Sequence, residues 1–240
     1  SGYPNDLIYT LNVASTPSSA KTTESENRMA SFFSRLNFNA KDRYLLTVNI
    51  RRDGSSKFGN DTKWGWFPSA SLGWKINKEE FMKSADWLDL LKLRLSLGKA
   101  GNNSIGDYES ISLLGIANYT LNNAIVSGLA PSSIGNPDLG WETQVSKGVG
   151  LDFGAFKNRI QANLDYYNNN TKDMLLNVSV PYISGYTSMR KNIGEVQNKG
   201  WEFELTTHNI EGRFSWTSSF NISRNINEVK KLGPDNAPII

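Results

Sequence analysis

Hydrophobic and polar residues alternate along most of this 240-residue chain. Within residues 43–51, one set of alternate positions is apolar, and it comprises Tyr44, Leu46, Val48 and Ile50. Successive side chains of a β-strand point to opposite faces of its sheet, so this segment is predicted to be a strand with one apolar and one polar side. The same alternation occurs in residues 29–39, 68–77, 91–98, 144–153, 160–167, 201–206 and 214–223. The pattern therefore predicts about eight strands, with Lys147 as an interruption of one apolar face.

One segment departs from this period. Residues 78–90 carry Phe81, Met82, Ala85 and Leu88 at nearly helical spacing, with two glutamates in the first turn, where the helix dipole favours anions. We expect one short helix there.

The predicted connections alternate in length if that helix counts as a compact turn. Residues 40–42, 154–158 and 209–212 are short connections, whereas residues 53–63, 100–140 and 181–193 are longer ones. All the long loops are therefore expected at one end of the sheet. Outer-membrane barrels have this asymmetry, while the crossovers of a β-sandwich mix short and long connections.

Composition removes several classes of function. The chain has 26 basic and 23 acidic residues, for a formal charge of +3, which does not support binding of nucleic acid through bulk charge. It has no cysteine and one histidine, which excludes disulfides, thiolate chemistry and metal sites that need paired histidines. No run of 18 apolar residues is present, as a transmembrane helix would require, but a transmembrane barrel needs only alternate apolar residues.

Five segments carry a more specific signal. They are RDGSSKFG (52–59), WFPSASLGWKINKEEF (66–81), LKLRLSLGKAGN (91–102), GNPDLGWE (135–142) and NKGWEFEL (198–205). In this order they resemble sequence blocks of SusC/RagA-type TonB-dependent outer-membrane transporters. The resemblance implies an all-β fold, an antiparallel up-and-down meander of about eight strands that forms part of a large transmembrane β-barrel.

The resemblance also implies an organisation and a function. Such transporters carry a plug domain and a TonB-binding segment that are not recognised here, so we expect an internal barrel fragment at residues 28–232. Residues 1–27 are expected to be loop or linker, and residues 233–240 loop or fragment end. The implied function is import of glycans or oligopeptides across the bacterial outer membrane with TonB-derived energy and a SusD-like lipoprotein partner. The resemblance implies no cofactor and no catalytic residue, and it does not identify the particular substrate.

A soluble carbohydrate-binding β-sandwich is the alternative, because seven tryptophans and an Asn-rich surface suit sugar binding. The two hypotheses differ in the fate of the apolar face. A sandwich buries that face against a second sheet about 10 Å away, whereas a barrel exposes it to lipid.

Two groups of residues are candidates for functional contacts. The first surrounds the first long loop and could contact a glycan or peptide, although an ion-paired loop that holds its own shape is the favoured interpretation; it comprises Arg51, Arg52, Asp53, Lys57, Trp64 and Trp66. The second group consists of aromatic residues near predicted strand ends, where amphipathic rings suit the headgroup level of a membrane; it comprises Tyr44, Trp74, Trp141, Trp201 and Trp216.

Other chemistry has weak support. Asp53 and Asp61 do not have the spacing of a calcium loop, so no metal site is expected. Glu202 and Glu204 share a predicted polar face, where solvated charges are ordinary, so no general acid–base pair is inferred. The sequence thus predicts a protein that performs no bond chemistry.

Overall fold

The computed structural model describes residues 24–121 and 123–233. They form twelve strands: β1 (Met29–Ala40), β2 (Tyr44–Ser55), β3 (Trp64–Lys75), β4 (Leu88–Asn102), β5 (Leu113–Leu121), β6 (Ala124–Ser133), β7 (Glu142–Ala155), β8 (Ile160–Lys172), β9 (Leu175–Ser179), β10 (Ser188–Asn192), β11 (Glu195–Ile210) and β12 (Trp216–Lys231). Most of the predicted terminal segments 1–27 and 233–240 lies outside the described residues.

Eight of these strands form one antiparallel sheet in the order β1-β2-β3-β4-β7-β8-β11-β12. The remaining four form two small hairpins, β5–β6 and β9–β10, inserted in the connections that follow β4 and β8. The predicted up-and-down meander of about eight strands is therefore confirmed. The two hairpins are not predicted by the alternation: β5, β6 and β10 lie within the long connections expected at residues 100–140 and 181–193, and β9 lies between predicted elements.

The predicted asymmetry of the connections is also confirmed. The pairs Met29↔Ser55 and Asn102↔Glu142 lie at the end of the sheet that carries residues 56–63, 103–141 and 173–194. The pairs Ala40↔Tyr44 and Ala155↔Ile160 lie at the opposite end, with residues 41–43, 76–87, 156–159 and 211–215. We call these the long-loop end and the short-turn end.

The helix expected at residues 78–90 is much reduced. The structure contains two single 3-10 turns, Ile76–Lys78 and Glu80–Met82, and β4 begins at Leu88. Arg43 forms ion pairs with Glu79 and Glu80 of this connection, at 3.2 and 3.0 Å. These tertiary contacts hold the connection close to the strand ends, which explains why the helical spacing of its apolar residues does not produce a longer helix. Among the described residues, no helix is long and apolar enough to span a bilayer.

Buried side chains are concentrated at the long-loop end. One cluster contains Phe58, Phe67, Ile105, Leu139, Trp141 and Leu175. It packs the connection 103–141 against β3 and the loop 56–63. Elsewhere the eight strands form a single layer, and their large apolar side chains are exposed.

Candidate functional site

The two faces of the main sheet differ in chemistry along its whole width. One continuous row of paired residues, on what we call the apolar face, runs across seven strands: Leu46, Leu72, Leu95, Val149, Tyr166, Trp201 and Arg224. The neighbouring row on the same face consists of Tyr44, Trp74, Leu93, Leu151, Leu164, Phe203 and Ile222. The other face, the polar face, carries residues such as Asn49, Ser71, Ser96, Asp165 and Glu202. The described residues provide no second sheet over the apolar face, so the packing that a β-sandwich requires is not found.

The six loop candidates do not form one group. The register Phe32↔Arg52↔Trp66 continues the apolar face, so Arg52, Trp64 and Trp66 lie on that face. The Arg52 guanidinium carbon lies 4.8 Å from the Trp64 ring centroid and 5.2 Å from that of Trp66. Cation–π contacts at such distances are attractive and leave the hydrogen-bond donors at the edge of the guanidinium available. These three residues are therefore not placed on the surface where a substrate in a barrel lumen would pass.

Arg51 and Asp53 lie on the polar face. The Asp53 carboxylate is buried, and Arg51 Nε donates to both of its oxygens at 2.7 Å. A buried carboxylate requires such a partner, so the main role of this pair is to stabilise the fold. Both residues also line a groove of about 740 Å³ that contains Phe33 and Arg35.

Lys57 is the sixth candidate and belongs to the loop packing. Its Nζ donates to the carbonyl oxygen of Ile105 at 2.7 Å and lies 3.8 Å from an Asp107 oxygen. These contacts join the loop 56–63 to the connection 103–141. The position is consistent with the favoured interpretation of an ion-paired loop that holds its shape.

Tyr44 and Trp74 form an aromatic pair at the short-turn end of the apolar face. The Tyr44 hydroxyl donates to Glu79 Oε1 at 2.7 Å, and the Trp74 indole N–H donates to the same oxygen at 2.9 Å. The hydroxyl of Tyr44, the indole of Trp74 and the charge of Arg43 all stabilise the carboxylate, and they lower the pKa of Glu79 below its usual value. Glu79 thus fixes the orientation of both rings.

The remaining aromatic candidates have different positions. Trp216 is exposed at the short-turn end of β12, and Trp201 is partly exposed in the interior of β11, on the apolar face. Trp141 is 8% exposed and packs on Phe58 and Phe67 with ring centroids 5.1 and 5.2 Å away. This placement corrects the prediction for Trp141, because a ring buried beneath the long connections is not available to a membrane interface.

A charged network occupies the centre of the polar face. Arg94 Nε donates to both oxygens of Asp152 at 2.8 and 3.0 Å, and its Nη2 donates to Asp165 at 3.0 Å. Glu202 and Glu204 line the same open depression. The arrangement gives this face fixed polar groups, and charged residues on a sheet of this kind are expected where it borders water.

Two relevant features escaped the sequence analysis. Phe33 is 80% exposed on the polar face, and the alternation of residues 29–39 could have placed it there. Glu79 was noted only as a helix residue, and its contacts to Tyr44 and Trp74 required the tertiary fold. Among the described residues, no group of three or more acidic or histidine side chains is arranged to hold a metal ion.

Comparisons with known proteins agree with this architecture. The family model for TonB dependent receptor-like β-barrels matches residues 2–237. A TonB-dependent receptor of Formosa agariphila is 42% identical over 236 residues, covering 97% of this chain and 22% of the relative. The TonB-dependent receptor SusC of Bacteroides thetaiotaomicron is 39% identical over 213 residues, covering 86% of this chain and 21% of SusC.

Solved structures extend the match to three dimensions. The structure of the RagAB peptide transporter superposes with a TM-score of 0.80 at 35% identity, covering 97% of this chain and 26% of that chain. The chain thus spans about a fifth of the length of the curated relatives it matches. The one-layer sheet with opposed apolar and polar faces, the loop asymmetry and these matches lead to one conclusion: the chain belongs to the TonB-dependent receptor β-barrel family.

Proposed function

We propose that this chain is a wall segment of an outer-membrane transporter that imports glycans or oligopeptides. The observation that carries the proposal is the eight-stranded single sheet whose apolar face is exposed across its full width while its polar face carries charged networks. In water such a surface is an aggregation liability, whereas in a barrel it contacts hydrocarbon on one side and an aqueous lumen on the other. Residues 28–232 form the barrel segment in this proposal.

The energy source and the partner are a second part of the proposal. We infer that TonB drives import through a plug domain, and that a SusD-like lipoprotein delivers the substrate at the long-loop end. The matches to SusC and to a RagAB structure support this part of the proposal. RagAB is a peptide transporter. The experiment below distinguishes peptide from glycan for this protein.

The groove on the polar face is the best candidate contact for substrate in this segment. It combines the exposed ring of Phe33 with Arg35 and the Arg51–Asp53 pair at the long-loop end. An aromatic face can stack on a sugar ring or a peptide side chain, and the guanidinium groups can bind hydroxyls or carboxylates. Arg52, Trp64 and Trp66 are proposed instead as contacts to the membrane interface, together with Tyr44, Trp74, Trp201 and Trp216.

The decisive experiment deletes the parent gene and measures growth on a panel of glycans and oligopeptides, with monosaccharides and free amino acids as controls. We expect growth to be lost on one polymer class and kept on the corresponding monomers, and we expect a tonB deletion to have the same effect. Unchanged growth on every polymer would contradict the transport proposal.

Location and partnership have independent tests. Cell fractionation is expected to recover the parent protein with the outer membrane, and purification in mild detergent is expected to recover a lipoprotein with it. Recovery in the soluble fraction without a partner would contradict both proposals.

A further inference from the structure

Charged side chains on the apolar face fall into two classes. Four of them form ion pairs at the long-loop edge: Lys172 Nζ lies 3.6 Å from Glu195, and Lys230 Nζ lies 2.7 Å from Glu228. Lys231, which is paired with Glu195 in the strand register, lies at the same edge. The other five are all cations, and none of them forms an ion pair with a carboxylate of residues 24–121 or 123–233. These five, the cation belt, are Arg52, Lys99, Lys147, Lys199 and Arg224.

The belt runs obliquely across the strands. Arg224 is in the same row of paired residues as Leu46. In strand register it therefore lies 52 − 46 = 6 residues closer to the short-turn end than Arg52. Lys147 and Lys199 share a row with Val48, between these two levels. The belt therefore shifts towards the short-turn end from β2 to β12, with Lys147 and Lys199 at the same level.

This slope has a simple geometric meaning. Six residues correspond to about 20 Å along a strand, and the six strand spacings from β2 to β12 correspond to about 29 Å, which gives a slope of roughly 35°. Strands of outer-membrane barrels tilt by about 35–45° from the barrel axis. A line with this slope in the sheet becomes level in the barrel, so the five cations lie at about the same height in the membrane.

The height of the belt places it at one membrane boundary. The ring of Tyr44 lies 52 − 44 = 8 residues from Arg52 along β2, and that of Trp216 lies 224 − 216 = 8 residues from Arg224 along β12. Eight residues in a strand tilted by about 40° span roughly 21 Å of height, close to the apolar band of about 25 Å in outer-membrane barrels. The belt and the short-turn aromatic rings thus mark the two boundaries of one band.

The two boundaries differ in how their cations are neutralised. At the short-turn end, Arg43 pairs with Glu79 at 3.2 Å, and Lys75 pairs with Asp42 at 2.6 Å. At the belt, Glu228 lies diagonal to Lys199 and pairs with Lys230 at 2.7 Å. Arg52, Lys99, Lys147 and Arg224 pair with no carboxylate of the described residues. An unpaired cation beside hydrocarbon is costly, and the described residues supply too few carboxylates to neutralise the belt, so a bound anion would stabilise it.

We propose that the cation belt binds the phosphate groups of anionic lipid in the leaflet on the long-loop side. Lys99 and Lys147 are diagonal neighbours on adjacent strands, as are Lys199 and Arg224. Such neighbours lie about 7–8 Å apart, so the two charged groups of each pair can bind one phosphate between them. The edge donors of Arg52, between two tryptophan rings, make a third contact. This inference rests on the proposed membrane location.

The test measures lipid retained by the full-length receptor that contains this segment. The receptor is purified in detergent, mixed with equal amounts of phosphatidylglycerol and phosphatidylcholine, and analysed by native mass spectrometry. Lys147→Gln and Lys199→Gln each remove one belt charge. Arg35→Gln is the matched control, because Arg35 lies on the polar face, bonds to Asn49 at 2.6 Å and has no carboxylate partner among the described residues.

We expect wild type to retain phosphatidylglycerol preferentially, and each belt variant to lose about fivefold in that preference, the equivalent of one surface cation. Lys147→Arg is expected to keep the preference, Arg35→Gln to leave it unchanged, and added inorganic phosphate to leave it largely intact. Retention of both lipids without preference, or equal loss in Arg35→Gln, would overturn the belt while leaving the membrane location standing. Retention of neither lipid by wild type would overturn the proposed location and the belt with it. Displacement of the bound lipid by inorganic phosphate would show that the belt binds a free anion, and would overturn the assignment to lipid.

Discussion

Replacement of Trp141 by alanine should release the long connection 103–141 from the sheet. The Trp141 ring is 8% exposed, packs on Phe58 and Phe67, and donates its indole N–H to the Lys63 carbonyl oxygen at 3.0 Å. Buried aromatic residues replaced by alanine typically cost about 3–5 kcal/mol, of which the hydrogen bond contributes about 1 kcal/mol. We expect Trp141→Ala to lower the free energy of local opening by this amount and Trp141→Phe to lower it by clearly less.

Limited proteolysis of the folded protein in detergent measures this opening. At 1.4 kcal/mol for each factor of ten, cleavage within residues 103–141 should accelerate by about 10² or more in Trp141→Ala when opening and closing are fast. Ile111→Ala is the matched control, because Ile111 is 53% exposed in the same connection. Equal cleavage rates in Trp141→Ala and Ile111→Ala would refute the assignment of Trp141 as the anchor.

Further predictions concern a close approach and a titration. In Gly101→Ala the new Cβ would overlap the Phe67 ring, so we expect a loss of about 1–3 kcal/mol in the free energy of unfolding. Gly73→Ala, with its nearest contact at 3.4 Å, should have little effect, and equal melting temperatures of the two variants would count against this packing. The pKa of Glu79 is lowered from 4.5 in the folded protein, so its contribution to stability is fully present above that value and is lost as the pH falls through the folded pKa. The melting temperature should therefore fall more on acidification below about pH 4.5 in wild type than in Glu79→Gln. Parallel pH profiles of the two proteins would contradict the role of this carboxylate.

Much of the fold could be predicted from the sequence because the alternation of apolar and polar residues is a local property. The face on which Val48 or Leu95 lies follows from its position in the strand, and the lengths of the connections decide which end carries the long loops. The same count could have placed Arg52 and Trp66 on the apolar face. It failed there because β2 was expected to end before Asp53 and β3 to begin at Pro68, whereas the strands extend to Ser55 and from Trp64.

The sequence by itself determined the strands of the main sheet, its two faces and the family. Only the tertiary structure decided which rings are exposed, since Trp141 and Trp216 look alike in sequence and differ because Trp141 packs on Phe58 and Phe67. Only the pairing of the seven strands from β2 to β12 brought five cations that are scattered between residues 52 and 224 into one oblique belt. The physical reason is that side-chain alternation depends on neighbouring residues, whereas burial and register across a sheet depend on residues that are distant in the chain.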